Sequence, residues 1–172
     1  MSDGLTVIGG IEIPSTDPVF LAIVGFHILL GLGAVATGAI AMLSKKQKGR
    51  HSTFGAIYFW CLLALAASAT LLSISRWTQD YHLFAFGASA FGCALLGRLA
   101  VRRRRIRLHL VGMGSSYTLV LIAFYVDNGP HLPLWRSLPH FMYWLIPLGV
   151  AIPITAWALL WHPRVRPSSD QR

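Results

Sequence analysis

Acidic residues are scarce in this chain, and so are charges of either sign. Only six of the 172 residues are Asp or Glu, against fifteen Lys and Arg, and charged residues make up 12% of the chain. That share is about half of what a soluble domain usually carries, while apolar residues reach 55%. Because a soluble fold of this length could not bury so much apolar surface, the composition indicates a single membrane domain.

Cysteines are also few, and the familiar catalytic motifs are absent. Cys61 and Cys93 lie within apolar runs and form no CxxC pair, so the sequence suggests neither a disulfide framework nor a thiolate metal site. There is no HExxH motif and no nucleophile elbow around Ser115 and Ser116. The net charge of +9 sits in short segments between long apolar runs, so we expect no binding to nucleic acid.

Five apolar segments are long enough to cross a membrane as helices, which takes about 20 residues for ~30 Å of hydrocarbon. The predicted spans are 19–43, 52–75, 81–101, 108–126 and 138–161. Asp17 followed by Pro18 is typical of a helix start, and Pro139 predicts the start of the fifth helix. Pro147 and Pro153 predict kinks within that helix. The predicted fold class is all-α, a polytopic bundle of five transmembrane helices.

The basic residues predict the orientation of this bundle. Thirteen of the fifteen fall on one side, and only Arg76 and Arg136 fall on the other, together with five of the six acids. Because Lys and Arg accumulate in cytoplasmic loops, we expect the N-terminus outside and the C-terminus in the cytoplasm. The predicted parts are an external segment at 1–17, the transmembrane domain at 18–163 and a cytoplasmic tail at 164–172.

One cluster on the basic side is dense enough to predict a contact with anionic lipid. Its members are Arg102, Arg103, Arg104, Arg105 and Arg107. Arg98 lies inside the third predicted helix, and we expect its side chain to extend toward the headgroups.

The seven histidines are the main candidates for a functional site. His51 and His109 begin helices two and four at the predicted cytoplasmic face, whereas His82 and His140 begin helices three and five at the other face. His27 is expected ~12 Å inside helix one, and an ionisable group at that depth is a functional candidate. It shares a helix face with small residues, namely Gly31, Ala34 and Gly38.

Histidines paired on alternate helices can ligate a b-type haem from both sides of the iron. In the placement of histidines on alternate helices, this arrangement resembles the four-helix di-haem cytochromes b of membranes. The leading hypothesis is therefore a haem-binding membrane redox protein. Its candidate ligand pairs are His51 with His109 and His82 with His140, and His27 is a further candidate for cofactor binding.

Two alternatives stay open, because the sequence names no reaction. The first is a non-enzymatic bundle that binds a lipid-like small molecule or a partner protein, with histidines that only form hydrogen bonds at the membrane boundary. The second is a metal-dependent membrane hydrolase on the external side. Carboxylate and imidazole ligands suit zinc, and the candidate ligands there are His82, Asp127, His131 and His140.

Three stretches of the chain carry a resemblance to a known family. They are HILLGLGAVATGAIAML, KKQKGRHSTFGAIYFW and RLHLVGMGSSYTLVLIAFYVDNGPHLPLW. Over most of its length the chain resembles a bacterial family of predicted membrane proteins that carries a domain-of-unknown-function label. The resemblance implies a multi-pass fold in the bacterial inner membrane and brings no activity with it.

Overall fold

Five long helices dominate the computed structural model, which describes residues 6–8, 11–13, 17–47, 49–75 and 77–161. They are α1 Pro18–Leu43, α2 Arg50–Ser75, α3 Trp77–Arg102, α4 Ile106–Asn128 and α5 Met142–Trp161. Each is long and apolar enough to cross a membrane. The prediction of five candidate membrane-spanning helices is confirmed. The predicted tail, 164–172, and His162 lie outside the described residues.

The start of α1 follows from Asp17 and Pro18. The Asp17 carboxylate accepts the backbone N–H groups of Val19 and Phe20, at 2.8 and 3.0 Å. These donors have no partner inside the helix, so a side-chain acceptor is needed. Pro18 has no N–H to satisfy and its fixed φ suits the first helical position.

The predicted start of α5 at residue 138 is wrong, since the helix begins at Met142. Leu138 precedes a proline, which disfavours the helical conformation at that residue. The next residues form a tighter turn, in which the Met142 N–H donates to Pro139 O at 2.9 Å. Farther along, α5 is continuous through Pro147 and Pro153.

A pair of short antiparallel strands precedes the helices in the chain and is not predicted from the sequence. Its strands are β1, Thr6–Ile8, and β2, Ile11–Ile13, with Thr6 opposite Ile13 and Ile8 opposite Ile11. The β-branched residues favour strands, but runs of three residues are too short to predict from the pattern alone. The all-α prediction holds for the five long helices, and the strand pair is a short addition to them.

Consecutive helices pack side by side. Short connections place α1 against α2, α2 against α3, and α3 against α4, while α1 also touches α4. This closes a four-helix bundle whose core includes Ala34, Tyr58, Leu62, Ala94 and Val120. Helix α5 packs on α4, outside the four-helix core.

The two ends of the bundle differ in charge. We call one the basic end, which is formed by the α1–α2 and α3–α4 connections and carries Lys45, Lys46, Arg103, Arg104 and Arg105. The opposite end, where α1 begins and α4 ends, is the far end.

Candidate functional site

The first turns of α2 and α4 bring His51 and His109 together at the basic end. His51 is the second residue of α2, and His109 lies in the first turn of α4. Their ring centroids are 6.4 Å apart and their ring planes are nearly perpendicular, at 86°. This is the pair that the sequence placed on alternate helices at one membrane face.

The position of His51 follows from the turn that joins α1 to α2. Gly49 has φ +117°, a conformation that side-chain-bearing residues rarely adopt. The reversal at Gly49 returns the first turn of α2 to the last turn of α1. The His51 Nδ1 atom consequently lies 2.8 Å from Ala41 O.

The position of His109 follows from the close approach of α3 and α4. A Cβ atom on Gly112 would lie 2.8 Å from Cys93 O and 2.8 Å from the Gly97 Cα, so only glycine allows this crossing. With the two backbones so close, His109 Nδ1 reaches Gly97 O at 2.9 Å.

Both histidines therefore have the same tautomer when neutral. A carbonyl oxygen only accepts, so the Nδ1 atoms of His51 and His109 carry the protons and donate them to Ala41 O and Gly97 O. The lone pair of each neutral ring is then on Nε2. Metal-ligating histidines commonly have this arrangement, with one nitrogen fixed by a carbonyl and the other available to the metal.

Lys46 belongs to the same cluster. Its Nζ donates to Ala41 O at 3.2 Å and also to Met42 O, which are carbonyls of the last turn of α1. Such carbonyls have no partner within the helix. Burial lowers the pKa of Lys46 below its ordinary value, because the charged form loses hydration. Lys46 also lies close enough to act electrostatically on the His109 ring.

Buried hydroxyl groups form a layer in the interior of the bundle, beneath the histidine pair. The hydroxyls of Tyr58 and Ser116 are 2.7 Å apart, and both side chains are buried. Tyr58 follows His51 by seven residues and Ser116 follows His109 by seven, which places the layer ~10 Å deeper along both helices. Tyr117 lies beside Tyr58, and its hydroxyl donates a hydrogen bond to Val35 O at 3.1 Å.

At the far end, the contacts that the structure shows for the described residues join His82 and His140 to other partners than each other. His82 Nε2 lies 3.0 Å from an Asp127 carboxylate oxygen, and both side chains are about one third exposed. His140 packs edge-on against Tyr143, with ring centroids 5.6 Å apart. The physical reason is the late start of α5, which leaves His140 in the turn before the helix, while α3 packs directly on α4.

The proposed zinc ligands at the far end converge only in part. His82 and Asp127 meet, but His131 lies exposed in a 3-10 turn, Gly129–His131. Among the described residues, no group of three or more His, Cys, Asp or Glu side chains could hold a metal ion. A zinc enzyme usually needs three protein ligands.

His27 has a partner on another helix, as its depth requires, but the partner is Ser68 rather than His82, Asp127 or His140. The Nδ1 atom lies 2.9 Å from Ser68 Oγ, which in turn donates to Leu65 O at 2.9 Å. With the serine proton directed to that carbonyl, His27 donates to the serine oxygen. His27 is thus a satisfied polar group between α1 and α2, away from the His51–His109 pair.

Two features of the site were not expected from the sequence. One is Lys46, which looked like one of several loop cations. The other is the Tyr58–Ser116 contact, although the equal spacing of seven residues from each histidine was visible. Arg98, expected to extend to the headgroups, has its guanidinium carbon 4.5 Å from the centroid of the Phe59 ring on α2.

No family model, curated protein or solved structure matches this chain. Fold and site together define a multi-pass helical protein with a histidine pair at one end of its bundle. The resemblance to a bacterial membrane family remains an expectation.

Proposed function

We propose that this protein binds one b-type haem, which His51 and His109 would hold, and that it serves in membrane electron transfer. One observation carries the proposal. Two histidines from helices that are not neighbours in the chain meet at one end of the bundle, each held through Nδ1 by a backbone carbonyl.

The spacing of the rings supports this ligand set. Two histidines that would hold one iron between them must have their rings at a single site. The observed separation is 6.4 Å. The fixed tautomer leaves Nε2 as the basic nitrogen on both rings.

The number of ligands favours haem over zinc. A haem iron takes four nitrogens from its own ring and needs only two from the protein. A zinc site takes three or four protein ligands, and the described residues contain no such group. When bound, the haem would supply one-electron chemistry, while His51 and His109 hold it and the Tyr58–Ser116 layer closes the bundle below.

The proposed setting is the bacterial inner membrane, with the basic end in the cytoplasm. The distribution of Lys and Arg supports this orientation. The exposure of Arg102, Arg103, Arg104 and Arg105 supports a contact between the basic end and anionic lipid headgroups.

The test is an absorption spectrum of the protein purified from haem-supplied cells, before and after dithionite. We expect a Soret band, a sharp reduced α-band and one haem per chain. A colourless protein would overturn the proposal. Stoichiometric zinc in a colourless protein would point to the hydrolase, and a colourless, metal-free protein to a bundle that binds a lipid-like molecule or a partner.

A further inference from the structure

Lys46 and His51 share one hydrogen-bond acceptor. Ala41 O accepts from His51 Nδ1 at 2.8 Å and from Lys46 Nζ at 3.2 Å. Two donors on a single oxygen must lie close to each other, so the ammonium group is held beside the imidazole ring. A second bond, to Met42 O, fixes the lysine on the last turn of α1.

Several other cations that the structure describes at the basic end are placed differently. Lys45, its chain neighbour, is exposed. Arg98 lies over the Phe59 ring, and Arg102, Arg103, Arg104 and Arg105 are exposed. Water and salt screen exposed charges over a distance of about 10 Å, whereas a half-buried charge is screened much less. Among the described residues, Lys46 is therefore a half-buried cation that shares a hydrogen-bond acceptor with one histidine of the pair.

We propose that Lys46 sets the reduction potential of the cofactor bound by His51 and His109, by holding a positive charge beside that site. The inference rests on the proposed haem. Reduction adds one electron to the iron, breaks no bond, and lowers the charge of the site by one. A fixed cation nearby stabilises the reduced form relative to the oxidised form, and more strongly in a medium of low dielectric.

Lys46 is not an iron ligand, since its Nζ donates hydrogen bonds to carbonyl oxygens. It acts on the iron only through its positive charge. Its removal should therefore change the potential while the axial ligands stay in place. The two effects can be separated, because the α-band reports ligation and a redox titration reports the potential.

The experiment is a spectroscopic redox titration of full-length protein with dithionite and ferricyanide. The variants are Lys46→Gln, which removes the charge, Lys46→Arg, which keeps it, and Lys45→Gln as the control of equal charge change. We expect Lys46→Gln to lower the ratio of reduced to oxidised haem about tenfold at a fixed ambient potential, equivalent to ~59 mV for one electron. Lys46→Arg and Lys45→Gln should stay close to wild type.

Equal potentials for Lys46→Gln and Lys45→Gln would overturn the inference and leave the haem proposal standing. Loss of haem from both Lys46 variants would also overturn it, because the lysine would then be needed for assembly rather than for its charge. A wild-type protein that binds no haem would overturn both proposals.

Discussion

Tyr58 and Ser116 are hydrogen-bonded to each other at the centre of the bundle, with 2.7 Å between their oxygens. At the basic end, His51 and His109 form another contact between α2 and α4. The Tyr58–Ser116 contact joins the same two helices about two turns deeper. Helices that are not neighbours in the chain are thus fixed to each other at two levels.

Ser116→Ala should lower the free energy of unfolding by ~1–3 kcal/mol, because it leaves the buried Tyr58 hydroxyl without a partner. Tyr58→Phe should cost less. The Ser116 hydroxyl can rotate to a carbonyl one turn back, as Thr118 does toward Gly114 O. Denaturant unfolding in detergent, followed by tryptophan fluorescence, measures both values.

The double variant Tyr58→Phe/Ser116→Ala supplies the control for that series. It removes donor and acceptor together and should be more stable than Ser116→Ala alone. A double variant that loses as much as the sum of the single variants would show that the hydroxyls do not depend on each other.

Gly38→Ala should destabilise the bundle, whereas Gly25→Ala on the same helix should not. A Cβ atom on Gly38 would lie 2.7 Å from the Tyr117 ring and 3.0 Å from the Tyr58 ring, but one on Gly25 meets nothing within 4 Å. The open position should gain up to ~1 kcal/mol from the better helix former. Thermal melting in the same detergent compares the two, and equal shifts would mean that α1 does not pack on α4 at Gly38.

Asp127→Asn should leave the proposed haem unchanged, because the carboxylate lies at the far end and binds His82. With both side chains about one third exposed, the contact should contribute ~1 kcal/mol at most. The checks are haem content and the unfolding midpoint. Loss of haem in this variant, with normal folding, would instead place a ligand at the far end.

The proposed orientation predicts opposite results for reporters at two positions. A phosphatase that is active only after export should be silent after Arg172 and active in the loop near Pro133. A cytoplasmic fluorescent reporter should give the reverse. Both fusions on the same side would mean that the number of membrane crossings is not five.

Much of the fold was predictable because lipid imposes one simple requirement. Long apolar runs must become helices, so four helices begin or end within a few residues of the predicted limits. The sequence predicts the start of α5 too early, because Pro139 fits the first turn of a helix and also an extended turn before it. The strands at residues 6–8 and 11–13 are too short for their pattern to be recognised.

The site was predictable where it depended on helix position and not where it depended on side-chain direction. His51 and His109 begin alternate helices at one face, and this placed them correctly. The same logic did not predict the contact of His82 with Asp127 on the adjacent helix. Lys46 could not be distinguished from Lys45, since nothing in a loop sequence shows which cation folds back onto a helix end.

The most direct test of the central claim is electron paramagnetic resonance of the ferric protein at low temperature. We predict a low-spin signal of bis-histidine haem in wild type, and its loss or conversion to a high-spin signal in both His51→Ala and His109→Ala. The variants His82→Ala and His140→Ala, which alter the far end, should keep the wild-type signal. An unchanged low-spin signal in either His51→Ala or His109→Ala would contradict the account.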